Sequence, residues 1–468
     1  MNKHDRYFND SCKRLNDSIY KTTVDGKDYI VKDLDLEDES IFYSAVRELS
    51  VLLTIDHPNI IKIADYFIED NTLYIVQPFI QNSLYDLIKK HRTEDTSFTK
   101  EQINKILKGS LEAIYYLHQN NITHRDLKPE NILIKDDFTP MVIDFGQAKK
   151  LLFKNTTHIS TCYYRAPEVL GFYEKEYTKN YDKKIDVWGM GTIGFEMISK
   201  EQLAKLPEDY EESESESESE RKSDKKSSKR KSSHSNSDSS SIFGSESDSD
   251  YDSEVDSEEH AEDNIFIIHD IFRKLGLPSK HVLDNYNLRK FVPEDDDLPD
   301  NPIEFLKEKI PDDKALHFIL NTLAYDPNKR YSIKQCLESS FIDGKLPDVK
   351  IIEKKGLIKL NNANLNMGFF QKQFQIMIKE LKPQGVKDES LFKAKRLALY
   401  FIGIYKKKIP RDWIIRLIGV CIYICDNLVS SGNHDVVFYT DLLECSEGKF
   451  FTILREVMAK TIHELFIL

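Results

Sequence analysis

The feature that most constrains this chain is the run His124-Arg125-Asp126-Leu127-Lys128-Pro129-Glu130-Asn131. It lies between an amphipathic segment, Glu101 to Gln119, and the apolar pair Ile132 and Leu133. Thirteen residues beyond Asn131 stands Asp144-Phe145-Gly146, followed by Ala166-Pro167-Glu168 and by a helical pattern carrying Asp186-Val187-Trp188-Gly189. Any one of these short motifs is weak evidence. Together, in this order and at this spacing, they are strong.

These motifs resemble the protein-kinase signature set. The resemblance implies an α+β chain with a two-lobe protein kinase fold: a small β-rich lobe over residues 1–80 and a large helical lobe over 81–345. It implies ATP and Mg2+ as cofactors and proteins as substrates. Catalysis in this family is mostly positioning plus electrostatic stabilisation, so few residues carry it. By the resemblance Asp126 orients the substrate hydroxyl and accepts its proton, while Lys128 neutralises charge on the transferring phosphate. Asn131 and Asp144 hold magnesium, a hard cation that prefers oxygen ligands. Leu133 floors the adenine, Asp186 anchors the catalytic-loop backbone, and Glu168 pairs with Arg330.

In the small lobe, Ser18 to Lys21 and Asp28 to Lys32 read as strands. Asp25-Gly26 between them is a hairpin signal, because such turns need positive φ. Lys32 ends an apolar run and, by the resemblance, grips the α- and β-phosphates; taken by itself it reads more readily as an exposed strand lysine. Kinases usually lay a glycine-rich loop over the phosphates. Here the three glycine positions fall on Cys12, Arg14 and Asp17. Asp17 repels phosphate, Arg14 partly compensates, and weak ATP affinity is expected. Ile19 covers the adenine and Ile30 narrows its slot. Leu73 to Val76 reads as a strand leading to the hinge at Pro78, Phe79 and Ile80, whose backbone bonds the adenine edge; Gln77 takes the gatekeeper position.

Ser44 to Leu49, followed by His57-Pro58-Asn59-Ile60, is similar to the regulatory helix of cyclin-dependent kinases. That resemblance makes Glu48 the partner of Lys32, on a helix expected over residues 38–55. Thr161, five residues before Ala166, matches a threonine that favours serine/threonine specificity and bonds the catalytic Asp and Lys. Thr156 lies near the family's activating-phosphate position, with Arg47, Arg125 and Lys149 at its three basic ligands. A phosphate there could form charge-assisted bonds to all three; the alternative is that Thr156 and Thr157 are ordinary loop residues.

From about Pro207 to Asp263 the composition turns to Ser, Glu, Asp and Lys. Such a stretch buries too little apolar surface to offset ordering, so residues 207–263 are expected to be a disordered insert. Its serines suit acid-directed phosphorylation and Lys225 to Lys231 suits a nuclear signal; a solvated charged loop is the plainer reading.

Beyond Gly344 the periodicity is helical at Phe369–Leu381, Glu389–Lys406, Arg411–Asn427 and Lys449–Phe466. Leu397 to Ile402, Ile409-Pro410-Arg411 and Leu417-Ile418-Gly419-Val420 resemble a cyclin box, although Ile414 stands where cyclins carry a docking lysine. Residues 350–468 are thus expected to form an all-α, cyclin-like domain that activates the kinase in cis; a generic helical extension is the alternative. Cys421, Cys425, His434 and Cys445 are zinc-ligand types, but Cys421 and Cys425 sit one turn apart inside an apolar helix and read better as packed thiols.

The net charge of −13 argues against general nucleic-acid affinity. Six cysteines and an N-terminus without a signal pattern suggest an intracellular chain, cytoplasmic or nuclear. Trp413 to Cys425 is too short for a membrane span. The expected activity is serine/threonine phosphotransfer. The rival is a pseudokinase that serves as a binding scaffold.

Overall fold

The structure is a computed structural model that describes residues 2–36, 39–69, 72–150, 155–156, 162–171, 177–178, 181–205, 255–293, 298, 302–349, 351, 367–383, 386, 388–404, 411–430, 453–454 and 457. It opens on a short helix the sequence reading did not foresee, α1 (Lys3–Tyr7). A five-stranded antiparallel sheet follows, built from β1 (Lys13–Arg14), β2 (Ile19–Val24), β3 (Lys27–Asp35), β4 (Asp65–Glu69) and β5 (Thr72–Pro78) in the order β1-β2-β3-β5-β4. Asp25 at φ 51 and Gly26 at φ 73 close the β2–β3 hairpin, which pairs Val24 with Lys27. Two positive φ values in a two-residue loop match the right-handed twist of the flanking strands. Helix α2 (Glu39–Leu52) crosses between β3 and β4.

The sheet uses its two faces differently. One joins the main core through Leu34, Leu73 and Ile75, and the other carries Val31 and Val76 in a small second core. Tyr7 and Phe8 of the N-terminal segment cover that second core. Tyr7 stacks on Phe67 at 6.1 Å, and Phe8 meets Tyr20 edge-on at 5.1 Å. Lys3 adds a 2.6 Å ion pair to Asp65. Four charged or polar residues ahead of Tyr7 in α1 hid this role from periodicity, since only Tyr7 of the helix is buried.

After the short strand β6 (Asn82–Ser83), α3 (Leu84–Thr93) and α4 (Lys100–Gln119) begin the helical lobe. Both start in capping boxes, Ser83 with Asp86 and Thr99 with Gln102, which satisfy otherwise orphaned N–H groups. The pairs β7 (Ile122–Thr123) with β10 (Lys149–Lys150), and β8 (Ile132–Ile134) with β9 (Pro140–Val142), frame the catalytic loop. Then come β11 (Asn155–Thr156), α5 (Pro167–Leu170), β12 (Tyr177–Thr178) and α6 (Lys184–Ser199). Helix α6 is buried from Ile185 to Met197, as befits the axis of the lobe.

Helix α7 (Val255–Leu275) starts inside the stretch 207–263 that was expected to be disordered. The acids Asp256, Glu258 and Glu259 fall in its first turns, where the helix dipole favours negative charge. Composition alone could not separate this helix start from the acidic tract before it, and residues 206–254 lie outside the described residues. The lobe closes with α8 (Lys280–Asn285), α9 (Pro302–Lys309), α10 (Asp313–Thr322) and α11 (Ile333–Leu337).

The tail holds α12 (Met367–Leu381), α13 (Asp388–Ile404) and α14 (Arg411–Ser430), each within three residues of its expected bounds. The fourth expected helix falls mostly outside the described residues. Helices α13 and α14 pack on each other, α12 packs on α14, and α14 lies against α2. Buried residues of all three tail helices are continuous with the main core. Cys421 and Cys425 are buried in α14, and burial pushes the Cys421 thiol well up. Among the described residues, no helix is long and apolar enough to cross a membrane.

Candidate active site

Alternation along β3 puts Lys32 and Ile30 on one face and Val31 on the other. Ile19 stands directly opposite Lys32, and Gln77 opposite Ile30, so these side chains share the inner face. Lys32 Nζ meets Glu48 Oε2 of α2 at 2.7 Å. Burial opposes the Lys32 charge, but Glu48 and then Asp144 outweigh it, and the lysine pKa is raised. The expected strand-to-helix ion pair is thus formed, with Asp144 of the second motif close enough to act on it.

The glycine-less segment is bonded to itself. Leu15 and Asn16 N–H groups both donate to the Ile19 carbonyl, at 2.8 and 3.3 Å. Arg14 donates to the carbonyls of Asn16 and Asp17 at 2.9 and 2.7 Å and contacts the Asp17 carboxylate at 3.3 Å. Arg14 therefore answers Asp17, as anticipated, but as a brace across the tip rather than as an open phosphate ligand. The exposed apolar residue at that tip is Leu15.

At the other end of the sheet, the Phe79 N–H donates to the Asp28 carbonyl at 3.0 Å. Antiparallel ladders alternate bonded and non-bonded pairs, so Pro78 and Ile80 turn their backbone groups away from β3. The ladder to β4 ends at Val76, which leaves that edge without a partner strand among the described residues. A free strand edge is what a planar base with edge donors and acceptors requires. Lys21 Nζ sits 3.8 Å from the centroid of the Phe79 ring and steadies the segment by a cation–π contact. Leu133 in β8 is half-buried against the core.

In the catalytic loop, Asp126 is only 8% exposed. Asn131 Nδ2 donates to its carbonyl at 2.8 Å and to Oδ2 at 3.0 Å, and Lys128 Nζ lies 3.4 Å from the same oxygen. Because Nδ2 is spent on Asp126, the Asn131 Oδ1 is the atom left for a cation. Asp144 supplies a carboxylate at φ 61, with the Gly146 N–H donating to Oδ1 at 3.1 Å. Burial would raise the Asp144 carboxyl; the charge of Lys32 and the Gly146 N–H hold it below its ordinary value. An all-oxygen set with one ionised carboxylate fits Mg2+. Gly146 is needed for close approach: a Cβ there would fall 2.3 Å from Ser44 Oγ on α2.

Below this loop Asp186 accepts the backbone N–H groups of His124 and Arg125, both at 2.9 Å, and contacts His118 Nε2 at 2.7 Å. These bonds fix Arg125 in the left-handed region, φ 71. His118 was missed in the sequence; its signal was a buried-face position in the last turn of an amphipathic helix. Burial would raise Asp186, but His118 and the Arg125 N–H lower it below its ordinary value. A carboxylate depressed on folding stabilises fully above the unfolded value of about 3.9 and loses that contribution as pH falls through the folded value. Asp186→Asn is therefore expected to cost stability at about pH 7 and to weaken the further loss on going to about pH 3. Denaturant melts at both values measure this, and equal acid sensitivity in the two proteins would contradict it.

Arg47 Nη1 donates to the Gly146 carbonyl at 2.6 Å, and Arg125 Nε to the Gln147 carbonyl at 2.6 Å. Burial, and then the nearby charge of Arg125, pull Arg47 down to about 9. Two like charges thus converge beside the second motif. Lys149 lies in β10, paired with Thr123, and the backbone of Thr156 in β11, paired with Tyr177. Thr157 and Thr161 lie outside the described residues.

Residues 18–342 match the protein kinase domain family. Over 154 residues, 31% of the chain, the sequence is 40% identical to the probable serine/threonine-protein kinase MRK1 homolog of Encephalitozoon cuniculi (strain GB-M1), covering 46% of that protein. Over 167 residues, 35% of the chain, it is 36% identical to cell division control protein 2 homolog 3 of Trypanosoma brucei brucei, covering 51% of that protein. The chain thus spans about half the length of these curated relatives. Among solved structures, a chain of the yeast RNA Pol II CTD kinase CTDK-1 complex aligns with a TM-score of 0.53 and 24% identity, over 74% of this chain and 96% of that one. That likeness establishes the two-lobe fold.

Proposed function

Because this chain belongs to the protein kinase family, we propose that it transfers the γ-phosphate of ATP to serine or threonine hydroxyls of proteins, in the manner of a cyclin-dependent kinase. The observation that carries this reading is the joint presence of the Lys32–Glu48 pair and the Asp126–Asn131–Lys128 cluster, each within bonding distance. Lys32 grips the α- and β-phosphates, and the unpartnered edge at Pro78 and Ile80 takes the base. Ile19, Ile30 and Leu133 enclose it. Asp126, held in place by Asn131, orients the substrate hydroxyl and receives its proton. Lys128 faces the transferring phosphate from the same loop. Asn131 Oδ1 and the Asp144 carboxylate would hold Mg2+, which would supply positive charge to offset the phosphates. A phosphate on Thr156 would suit the Arg47–Arg125 pair.

The tail is assigned as a cis activator. Its helix α14 lies on α2, the helix that carries Glu48. An activator bound there biases α2 toward the position that makes the Lys32 pair, and a covalent tether supplies it at high effective concentration. Kinase assays with labelled ATP, Mg2+ and a basic protein, read by phospho-amino-acid analysis, test the activity. A chain ending at Val349 is expected to transfer phosphate at least about tenfold more slowly, the effect of ~1.4 kcal/mol on the α2 equilibrium. Undiminished transfer would remove the activating role.

A further inference from the structure

The inner face of the sheet carries one polar group that the reading above leaves unused. Gln77 is the last residue of β5 before the hinge, opposite Ile30 and two residues from Ile75. Its Nε2 is buried and has no hydrogen-bond partner among the described residues. A buried amide N–H without an acceptor is costly, so a stable fold keeps one where a ligand supplies the acceptor. Its neighbours along the strand are the pairing edge at Pro78 and Ile80. A ligand that lies on that edge presents its exocyclic group toward Gln77.

The chemistry of the purine ring then decides what this means. Adenine carries a 6-amino donor and an N1 acceptor; guanine carries a 6-oxo acceptor and an N1–H donor. An apolar side chain at position 77 would leave the 6-oxo group of guanine buried without a donor, and the site would reject it. Gln77 removes that penalty. Its Nε2–H can donate to the 6-oxo group while the Pro78 carbonyl accepts from guanine N1–H. With the amide turned over, its oxygen can accept from the adenine 6-amino group. Resting on the assignment of this cleft as the ATP site, we infer that Gln77 sets purine selectivity and that the site takes GTP as well as ATP.

Isothermal titration of the full chain with Mg-ATP and with Mg-GTP tests this, using wild type, Gln77→Leu and Gln77→Glu. Wild type is expected to bind GTP within about tenfold of ATP, and Gln77→Leu to shift the ratio toward ATP by a further tenfold or more, the scale on which a lost partner for a buried polar group discriminates. Gln77→Glu keeps the shape but offers acceptors only, and is expected to move the ratio the same way. Wild-type GTP binding more than about tenfold weaker than ATP binding, or an unchanged ratio in both variants, would overturn the assignment while leaving the ATP site intact. Binding of neither nucleotide by the wild type would overturn the ATP site itself and this inference with it.

Discussion

Asp126→Asn is expected to slow phosphotransfer by about 10²–10⁴-fold, the usual range for a positioned proton acceptor. The amide keeps the shape of the carboxylate but loses its capacity to take a proton. The surroundings of Asp126 are held independently of its charge, by Asn131 on its carbonyl and by Asp186 on the two preceding N–H groups. The variant should therefore keep its fold, and single-turnover transfer isolates the chemical step. A rate equal to wild type would place the phosphotransfer elsewhere. Background-level transfer in both proteins would favour the scaffold reading, in which the loop is retained for its shape.

Glu168→Ala is expected to cost about 3–5 kcal/mol of stability, the effect of stranding one member of a buried ion pair. Glu168 and Arg330 are both 0% exposed and meet in a two-pronged contact, Nη1 to Oε1 at 2.6 Å and Nη2 to Oε2 at 2.8 Å. Arg330 also donates to the carbonyls of Ala324 and Lys184, at 2.9 and 3.0 Å, and lies over the Trp188 ring. A total stability of about 5–15 kcal/mol makes this a loss the fold can barely carry. Arg330→Met should cost about as much, since it strands the buried Glu168 carboxylate in turn and also takes a donor from those carbonyls. The double change is then not expected to recover fully. Urea melts of the single and double variants measure the order, and a Glu168→Ala cost under about 1 kcal/mol would contradict it.

The sequence was most informative where backbone chemistry leaves few choices. Asp126, Asn131 and Asp144 sit on turns whose residues are fixed by side-chain bonds to the backbone, so their spacing is the same in chain and fold. The β2–β3 hairpin was legible from Asp25-Gly26 for the same reason. The tail helices were legible because their apolar residues recur at helical spacing and are buried. What periodicity cannot encode is which surface meets which. Nothing local in Arg411 to Ser430 says that it lies on α2, and nothing in Lys3 to Tyr7 says that it covers aromatic residues as far along the chain as Tyr74. Nor could spacing foresee that Arg14 would turn onto its own loop. Such outcomes are decided by long-range packing, which a linear pattern does not carry.

The braced tip at residues 14–18 has a consequence for timing. A flexible glycine loop closes over nucleotide and must reopen before the spent nucleotide departs, and that reopening often sets the turnover rate of an enzyme. A tip whose carbonyls and acid are already answered by Arg14 gains little by closing. Spent nucleotide would then leave without waiting for a gate, and the slow event of the cycle would move to the transfer itself.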